Sequence, residues 1–596
     1  MLNKNKLILM VLSCLLVLPH SISAQQINSE CVQPSVSEID RMLTEEALAQ
    51  DVPPEIVKAI AFIEADGWVH CENGETLISG DGGIGIMQVT DVDGWDIEKL
   101  HTDISYNIKA GVTILNSKYG YNVIPKLNDQ NKDILENWYF AVMAYNGIVH
   151  INSPSLKDEN GKRNMESYQD RVFTQLQDSN PGINLNLDLD EVKFEDLIYR
   201  DNGTLGFRKS SYILEGPIHS TRQKYEKGDL VVATAGARYR SFPDTRDSEN
   251  IKGTLQREVV MIDDTFAYDQ SDNNFNHFLW YSVITRNEEN SGYVASSNLT
   301  PFGKRIYGDN RYETAVEISK QGWEEKADTV ILARGDTFPD ALAGAPLAYK
   351  LDAPILLTRQ TALHDKTEAE IKRLGAKHVI ILGGTEAISV KVSDKLTSIG
   401  VTNVERIGGD SRYDTARKIA NRLGGNPEKA ILAHGDNFPD SLSVAPYAAK
   451  HGYPILLTKT DRLHESTTQA IEDTKVNSMI VVGGVNAISE GVLNKLPENV
   501  STDRIAGETR YATAVKIIEE FNLPTDIVYT ATGRDFPDAL TGSVLAAKNN
   551  SSILLVDDKV RPDTTNFIRN SQLDTFHVLG GRPAVSDTAV NNLVVD

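Results

Sequence analysis

The chain has 596 residues, a formal net charge of −23 at pH 7, 40% hydrophobic residues and 24% charged residues. This composition is ordinary for globular proteins and excludes a wholly disordered, collagen-like or coiled-coil chain, and the length predicts about four to six domains. The excess of acidic residues makes DNA and RNA poor partners.

The first segment of the chain has the pattern of an export signal. An apolar run, Leu7–Leu18, follows Lys4 and Lys6 and is followed by small residues. We therefore predict a signal peptide over residues 1–24 rather than a membrane span, and hence a secreted protein.

Export limits the chemistry available to the cysteines. Cys14 leaves with the signal peptide, so the mature chain keeps Cys31 and Cys71. A disulfide between them is favoured in an oxidising compartment, and two unpaired thiols are the alternative.

The next segment predicts an amphipathic helix that carries an acid at its end. Isoleucines at i, i+4 and i+7 predict a helix over residues 54–67, stopped near a glycine. Glu64 borders the apolar stripe. Partial desolvation beside Trp68 should favour its protonated form, which a general acid for glycosidic oxygen needs.

Three further boxes follow in order. The glycine-dense segment 80–88 ends at Gln88 and suits close approach by a sugar. Residues 107–111 open another helical stretch. An apolar helical face then ends at Tyr145 and Asn146, beside a glycine that stops the helix.

Together these boxes resemble the soluble lytic transglycosylase and goose-type lysozyme group over roughly residues 35–175. The resemblance implies a mostly helical domain, here placed at residues 25–180, that cleaves peptidoglycan between N-acetylmuramic acid and N-acetylglucosamine. It implies that Glu64 is the catalytic acid and base. It assigns substrate positioning to three residues: Gln88, Tyr145 and Asn146. Ala65 departs from the serine that many relatives have after the glutamate.

The reaction type depends on whether a second carboxylate faces Glu64, because hydrolases generally use two. The resemblance implies that a lytic transglycosylase needs one, since the muramyl C6 hydroxyl attacks and leaves a 1,6-anhydro end. We predict that outcome. Asp66 and Asp81 are the nearest hydrolytic partners, so a muramidase is an alternative, as is a non-catalytic surface protein or adhesin.

No cofactor or metal is predicted. Asp91, Asp93 and Asp96 lie in a loop vaguely like a calcium loop, but the loop lacks the required glycine and terminal glutamate register. We interpret these aspartates as solvated surface.

The middle of the chain predicts a linker and a small all-β barrel. Residues 181–224 show limited periodicity and are predicted as the linker, and apolar or alternating runs predict strands over residues 225–302. Gly-Asp-x-Val, Trp-x-x-Val and Gly-Tyr-Val in this region weakly resemble a bacterial Src-homology-3-like wall domain. Its aromatic residues are interpreted as core rather than as sugar contacts.

The second half repeats one unit three times. The sequence Arg-Ile-x-Gly-x-x-Arg-Tyr-x-Thr-Ala recurs with periods of 101 and 98 residues. Each copy is followed by a Phe-Pro-Asp box and then by an Ile-Leu-Leu box. We place the repeats at residues 303–402, 403–500 and 501–596. Short apolar runs alternating with amphipathic stretches predict α/β domains with mostly parallel sheets.

These boxes resemble the second type of cell wall binding repeat of Gram-positive bacteria. The resemblance implies non-covalent retention by an anionic secondary wall polymer and a pseudo-threefold arrangement of the repeats. Six arginines either meet the polymer or make intramolecular contacts: Arg305, Arg311, Arg406, Arg412, Arg504 and Arg510. The third repeat departs at Arg534 and Val556.

The two halves differ in charge. Residues 25–302 carry a net −20 and residues 303–596 a net −5. The two resemblances and the signal pattern together imply an exported peptidoglycan-cleaving enzyme at the surface of a Gram-positive-type bacterium. Its partners would be glycan strands and the anionic polymer, and we expect the acidic half to stay mobile over its substrate.

Overall fold

The computed structural model describes residues 31–155, 165–185, 187, 189, 192–214, 218–271, 275–285, 291–337, 340–571, 573 and 575–594. The predicted signal peptide, including Cys14, and the first Phe-Pro pair of the repeats lie outside these residues. Within the described ranges, no helix is both long and apolar enough to cross a membrane.

The N-terminal domain is mostly helical, as predicted. Its helices are α1 (Val36–Ala49), α2 (Pro54–Glu64), α3 (Ile97–Thr102), α4 (Ile104–Tyr119), α5 (Tyr139–Asn146) and α6 (Tyr168–Ser179), and its short strands are β1 (Cys71–Glu72), β2 (Glu75–Thr76) and β3 (Lys126–Leu127). Proline in the first turn starts α2. Its last helical residue is Glu64, three residues before the predicted stop.

A disulfide ties the start of the described chain to this domain. It joins Cys31 to Cys71 in β1, with the two Cα atoms 5.8 Å apart. The structure thus contains the bridge that the sequence favoured over free thiols.

The predicted linker over residues 181–224 is corrected by the structure. It contains β4 (Leu197–Tyr199), β5 (Leu205–Phe207) and β6 (Ser211–Tyr212), and β6 pairs with β3 of the helical domain. Leu197 and Leu205 are buried in the same core as the helices. An irregular strap of this kind has no hydrophobic period, so the sequence pattern missed it.

An all-β unit follows. Its strands are β7 (Asp229–Ala233), β8 (Arg238–Arg240), β9 (Ile251–Thr254), β10 (Glu258–Ala267), β11 (Trp280–Ile284), β12 (Ser291–Ala295) and β13 (Leu299–Ile306). They lie in the order β13-β7-β10-β11-β12-β8-β9. Trp280 and Tyr281 are buried, in agreement with their interpretation as core residues. Closure into a barrel stays a prediction.

The three repeats are α/β with parallel strands. The first contains α7 (Arg311–Gly322), β14 (Thr329–Arg334), α8 (Ala345–Lys350), β15 (Ile355–Thr358), α9 (Asp365–Leu374), β16 (His378–Leu382) and α10 (Val390–Ser398). The second contains β17 (Asn403–Ile407), α11 (Arg412–Leu423), β18 (Ala430–His434), α12 (Pro439–His451), β19 (Ile455–Thr458), α13 (Glu465–Thr474), β20 (Ser478–Val482) and α14 (Glu490–Leu493). The third contains β21 (Ser501–Ile505), α15 (Arg510–Glu520), β22 (Ile527–Thr532), α16 (Pro537–Lys548), β23 (Ser552–Val556), α17 (Pro562–Ser571), β24 (Thr575–Leu579) and α18 (Asp587–Asn591).

The sheets do not coincide with the sequence repeats. The first sheet has the order β15-β14-β16-β17 and the second β19-β18-β20-β21, so each takes its fourth strand from the following repeat. The third sheet is completed by β13, which precedes the first repeat's helices and pairs in parallel with β24. The exchange of strands therefore closes the three repeats into a ring.

Strand β13 also joins the ring to the all-β unit. It pairs with β24 on one side and antiparallel with β7 on the other, which makes one ten-stranded sheet. Gly303 lies at a register shift in this strand with φ +149°, and a Cβ there would fall 1.8 Å from the carbonyl oxygen of Phe576. Only glycine allows this approach.

The catalytic-type domain is also fixed to the all-β unit. Lys58 of α2 is fully buried and pairs with Asp40 at 2.7 Å, while its Nζ donates to Oε1 of Gln223 and to the carbonyl of His277. A buried charge requires such a complete set of partners. Together with the shared strand β13, this contact joins the acidic half to the repeats through paired strands and buried side chains.

Candidate active site

Glu64 occupies the last position of α2 and is half-buried. Desolvation by burial raises the pKa of its carboxyl to about 7. The hydroxyl of Tyr168, at the start of α6, donates to its Oε1 at 2.6 Å and acts in the opposite direction. The negative charge of Asp81 raises the pKa further, and Arg171 lowers it. A carboxyl of this pKa can both give and accept a proton near neutral pH.

Trp68 is buried four residues after Glu64. Its ring is buried against the all-β unit, stacked on His277 at 4.9 Å between ring centroids, and its Nε1 donates to the carbonyl of Lys58. Burial raises the pKa values of Tyr145 and Tyr168 well above the ordinary tyrosine value, and the negative charge of Glu64 raises both further.

The glycine-dense loop is held by side chains from two other parts of the domain. Oδ1 of Asn107 accepts from the amide of Met87, and Nδ1 of His70 accepts from the amide of Ile86. Gly85 allows the loop to pass close to both side chains, since a Cβ there would meet the His70 ring at 2.5 Å. The loop therefore has a fixed shape.

Gln88 ends this loop in a left-handed conformation, with φ +45°. Its Nε2 donates to the carbonyl of Gly85 at 2.7 Å. Its Oε1 is buried, and no donor among the described residues reaches it. Such an acceptor is costly unless a partner binds it.

The Tyr-Asn box at the end of α5 contacts the same loop. The hydroxyl of Tyr145 donates to the carbonyl of Met87 at 2.6 Å. Asn146 is exposed, and its Oδ1 accepts from Nδ2 of Asn152. Oδ1 of Asn152 in turn accepts from the amide of Tyr168. The structure thus links the predicted Glu64, Gln88 and Tyr-Asn segments into one site.

Two residues of the site were not predicted. Tyr168 touches Glu64 from 104 positions away in the sequence, and buried Asn152 connects Tyr168 to Asn146. Neither lies in a periodic or glycine-marked pattern. The only local signal is Ser167, which occupies the N-cap position of α6.

The two candidate second carboxylates differ. Asp81 is exposed, but its charge acts on Glu64, and a hydrogen bond from Ser79 lowers its own pKa. Asp66 is exposed and is not among the groups that shift the pKa of Glu64. Of the two carboxylates, only Asp81 therefore acts electrostatically on Glu64.

The six arginines of the repeats bind backbone carbonyls. Arg305, Arg406 and Arg504 donate to the glycine carbonyls that follow a sheet's third strand, namely Gly580, Gly383 and Gly483. Arg311, Arg412 and Arg510 donate at 2.6–2.7 Å to the glycine carbonyl before each Phe-Pro-Asp box. All six therefore make intramolecular contacts. Arg534 pairs with Asp558.

Family comparisons agree with this division of the chain. Residues 41–166 match the transglycosylase SLT domain, and residues 305–393, 406–493 and 504–590 each match cell wall binding domain 2. The chain thus contains an SLT transglycosylase domain followed by three cell wall binding repeats.

Relatives share parts of the chain. N-acetylmuramoyl-L-alanine amidase LytC of Bacillus subtilis is 40% identical over 291 residues, 49% of this chain and 58% of that protein. The amidase enhancer of B. subtilis is 37% identical over 315 residues, 51% of this chain and 43% of that protein. The chain thus spans about half the length of these relatives. The solved structure of Cwp8 from Clostridium difficile is similar with a TM-score of 0.47 and 23% identity, over 67% of this chain and 74% of that one.

Proposed function

We propose that the protein is a wall-anchored lytic transglycosylase that cleaves the glycosidic bond between N-acetylmuramic acid and N-acetylglucosamine. The observation that carries this proposal is the Glu64 carboxyl, which lies in an SLT domain and whose pKa burial raises to about 7. At pH 7 about half of the molecules hold it protonated, as a general acid requires.

The proposed reaction uses Glu64 twice. As an acid it protonates the glycosidic oxygen, so that the N-acetylglucosamine side leaves and positive charge develops at the muramyl C1. As a base it then takes the proton of the muramyl C6 hydroxyl, whose oxygen bonds to C1 and closes the 1,6-anhydro ring. The hydroxyl of Tyr168 stabilises the carboxylate between the two steps through its hydrogen bond.

The surrounding residues would bind the sugar. Gln88 would position the sugar through the loop that it closes, because its Nε2 holds the carbonyl of Gly85 while its Oε1 is buried. Asn146 is exposed at the end of α5 and presents its amide to the same site. The hydroxyl of Tyr145 is already used to hold the loop, so we assign it a positioning role.

The experiment is digestion of purified peptidoglycan by the full chain and by Glu64→Gln, with mass spectrometry of the products. We expect anhydromuramyl ends from the wild type and no products from the variant. Equal activity of the two proteins would contradict the proposal, as would release of stem peptides with intact glycan strands, the reaction that the names of the amidase relatives suggest.

A hydrolytic muramidase is the second candidate, because the charge of Asp81 acts on Glu64. In that reaction water rather than the C6 hydroxyl reaches C1, and the second carboxylate assists. Products heavier by one water, with reducing muramyl ends, would establish it and exclude the anhydro product.

We also propose that the three repeats hold the enzyme on the cell wall of a Gram-positive-type bacterium through an anionic secondary polymer. The family matches support this, as does the weaker negative charge of residues 303–596, whose net −5 opposes such a polymer less than the −20 of residues 25–302. The full-length Glu64→Gln protein, which leaves the wall uncut, should bind purified walls and lose binding when the polymer is stripped. Equal binding to stripped walls would overturn the polymer assignment.

A further inference from the structure

An exposed aromatic surface lies beside the candidate active site. Phe194 is 65% exposed, unusually high for a phenylalanine, and its ring stacks on Tyr199 at 5.0 Å with an interplanar angle of 22°. The ring of His150 meets Tyr199 edge-on, also at 5.0 Å. We call these three residues the aromatic shelf.

The shelf is part of a rigid element. Tyr199 ends β4, which pairs with β5, and the neighbouring Leu197 and Leu205 are buried in the core. Phe194 opens the turn before β4, where the carboxylate of Asp196 pairs with Lys209 at 2.8 Å. The exposed Phe194 ring is therefore held in place by buried neighbours.

Direct contacts connect the shelf to the site. The hairpin of β4 and β5 donates from the amide of Leu205 to the carbonyl of Ile148, two residues after Asn146. His150 begins the turn that ends at Asn152, which bonds both Asn146 and the amide of Tyr168. The shelf is thus joined through Ile148 and Asn152 to the Asn146 end of the candidate site.

We propose that the aromatic shelf is a distal glycan subsite, on which a pyranose ring of the peptidoglycan strand stacks. This rests on the proposed function. The apolar face of a pyranose packs on an aromatic ring, and an exposed ring beside polar groups marks a binding surface. The hydroxyl of Tyr199 with Ser153 and Ser155, at 2.6 and 3.2 Å, supplies the polar groups. Phe194 and Tyr199 lie beyond the residues matched to the SLT domain, so the family match assigns them no role.

The test compares long glycan strands with a minimal tetrasaccharide as substrates of the full-length enzyme. Phe194→Ala should raise KM for the long strands by about three- to tenfold, because a stacking contact is lost, and leave kcat and the tetrasaccharide kinetics unchanged. Phe194→Trp should restore the wild-type KM. Ile213→Ala is the matched control, since it also truncates an exposed apolar side chain, 76% exposed, in the same strap.

An unchanged KM for long strands in Phe194→Ala would overturn the subsite, and that is also the result expected if a protein partner uses the shelf. Equal losses on both substrates would overturn it in favour of a structural role. If the wild type cleaves neither substrate, the proposed function fails by itself. The subsite is then judged by calorimetric binding of the same long strands, stripped of secondary polymer, to wild type and Phe194→Ala.

Discussion

The hydroxyl of Tyr168 donates to Oε1 of Glu64 at 2.6 Å, across 104 residues of sequence. This bond stabilises the ionised carboxylate, whereas burial and the charge of Asp81 stabilise the protonated form. The pKa of about 7 is the balance of these opposed effects, so single substitutions should move it in known directions.

Tyr168→Phe removes the bond to the carboxylate and should raise the pKa of Glu64 above 7. Glu64 would then stay protonated to higher pH, so the decline of kcat/KM on the basic side of the pH profile should move to higher pH. The value of kcat at the pH optimum should decrease. A pH–rate profile measures both effects. Tyr139→Phe is the control, because it removes a buried hydroxyl that donates to Asp170 instead. A downward shift would contradict the assigned role of Tyr168.

Glu64→Gln should stabilise the fold in a pH-dependent way. Because burial raises the pKa of this acid, folding disfavours its ionised form, and that cost grows as pH rises from 4.5 through about 7. The variant should match the wild type below pH 4.5 and exceed its free energy of unfolding by about 1–3 kcal/mol at pH 8. Urea unfolding at several pH values tests this, with exposed Glu72→Gln as control. A gap that is constant with pH would refute it.

Asp81→Asn separates the electrostatic effect of this residue from a chemical one. Loss of its charge should lower the pKa of Glu64, so the basic limb of activity moves to lower pH. Under the transglycosylase mechanism the anhydromuramyl products remain. Complete loss of cleavage would instead indicate a reaction that uses two carboxylates. Asp66→Asn is the control, because it removes another exposed carboxylate near Glu64 in the sequence.

Gly303→Ala should destabilise the junction between the all-β unit and the ring. The added Cβ would overlap the carbonyl of Phe576, and φ of +149° is strained for alanine. We expect a loss of about 2–4 kcal/mol, measured by denaturant unfolding. Gly236→Ala has φ +83° with no atom within 4 Å of the Cβ, so it reports the backbone strain alone. Equal losses in the two variants would exclude the proposed overlap.

Arg406→Ala should weaken the exchange of strands. Its guanidinium in β17 donates to the carbonyls of Gly383 and Gly384 in the preceding repeat. Loss of these bonds should lower the free energy of unfolding of the three-repeat ring by about 1–3 kcal/mol. Arg422→Ala removes a more exposed pair with Glu405 and should cost about 0.5 kcal/mol or less. Thermal unfolding of both variants measures the two losses of stability. Similar values would mean that Arg406 does not hold the sheets together.

Much of the candidate site was predictable because it is marked locally. Glu64 ends an amphipathic helix, Gln88 ends a glycine-rich loop, and Asn146 precedes a glycine. Tyr168 and Asn152 were not, because their roles come from contacts between distant segments that leave no period in the sequence. The stacking of Trp68 on His277 was not predictable either, because His277 belongs to another unit.

The repeats show the same limit at the level of the fold. Their period and parallel strands follow from the recurring boxes, but a period does not say which strand starts a sheet. Strand β17 begins the second repeat in sequence and completes the first sheet in space. The irregular strap containing β4 and β5 consists of turns and short strands without a hydrophobic period. Its sequence therefore predicted a linker, although its leucines are buried.

Under the proposed function, strand β13 also limits how far the catalytic domain can reach from the repeats that bind the wall. A tether of flexible residues would let a catalytic domain sweep a volume that grows with tether length. Here the backbone passes from one sheet into the next while hydrogen-bonded on both sides. Under the proposed function, the distance between the polymer bound by the repeats and the glycosidic bond cleaved at Glu64 is then fixed. The positions of cleavage in the peptidoglycan would therefore follow the spacing of the anionic polymer.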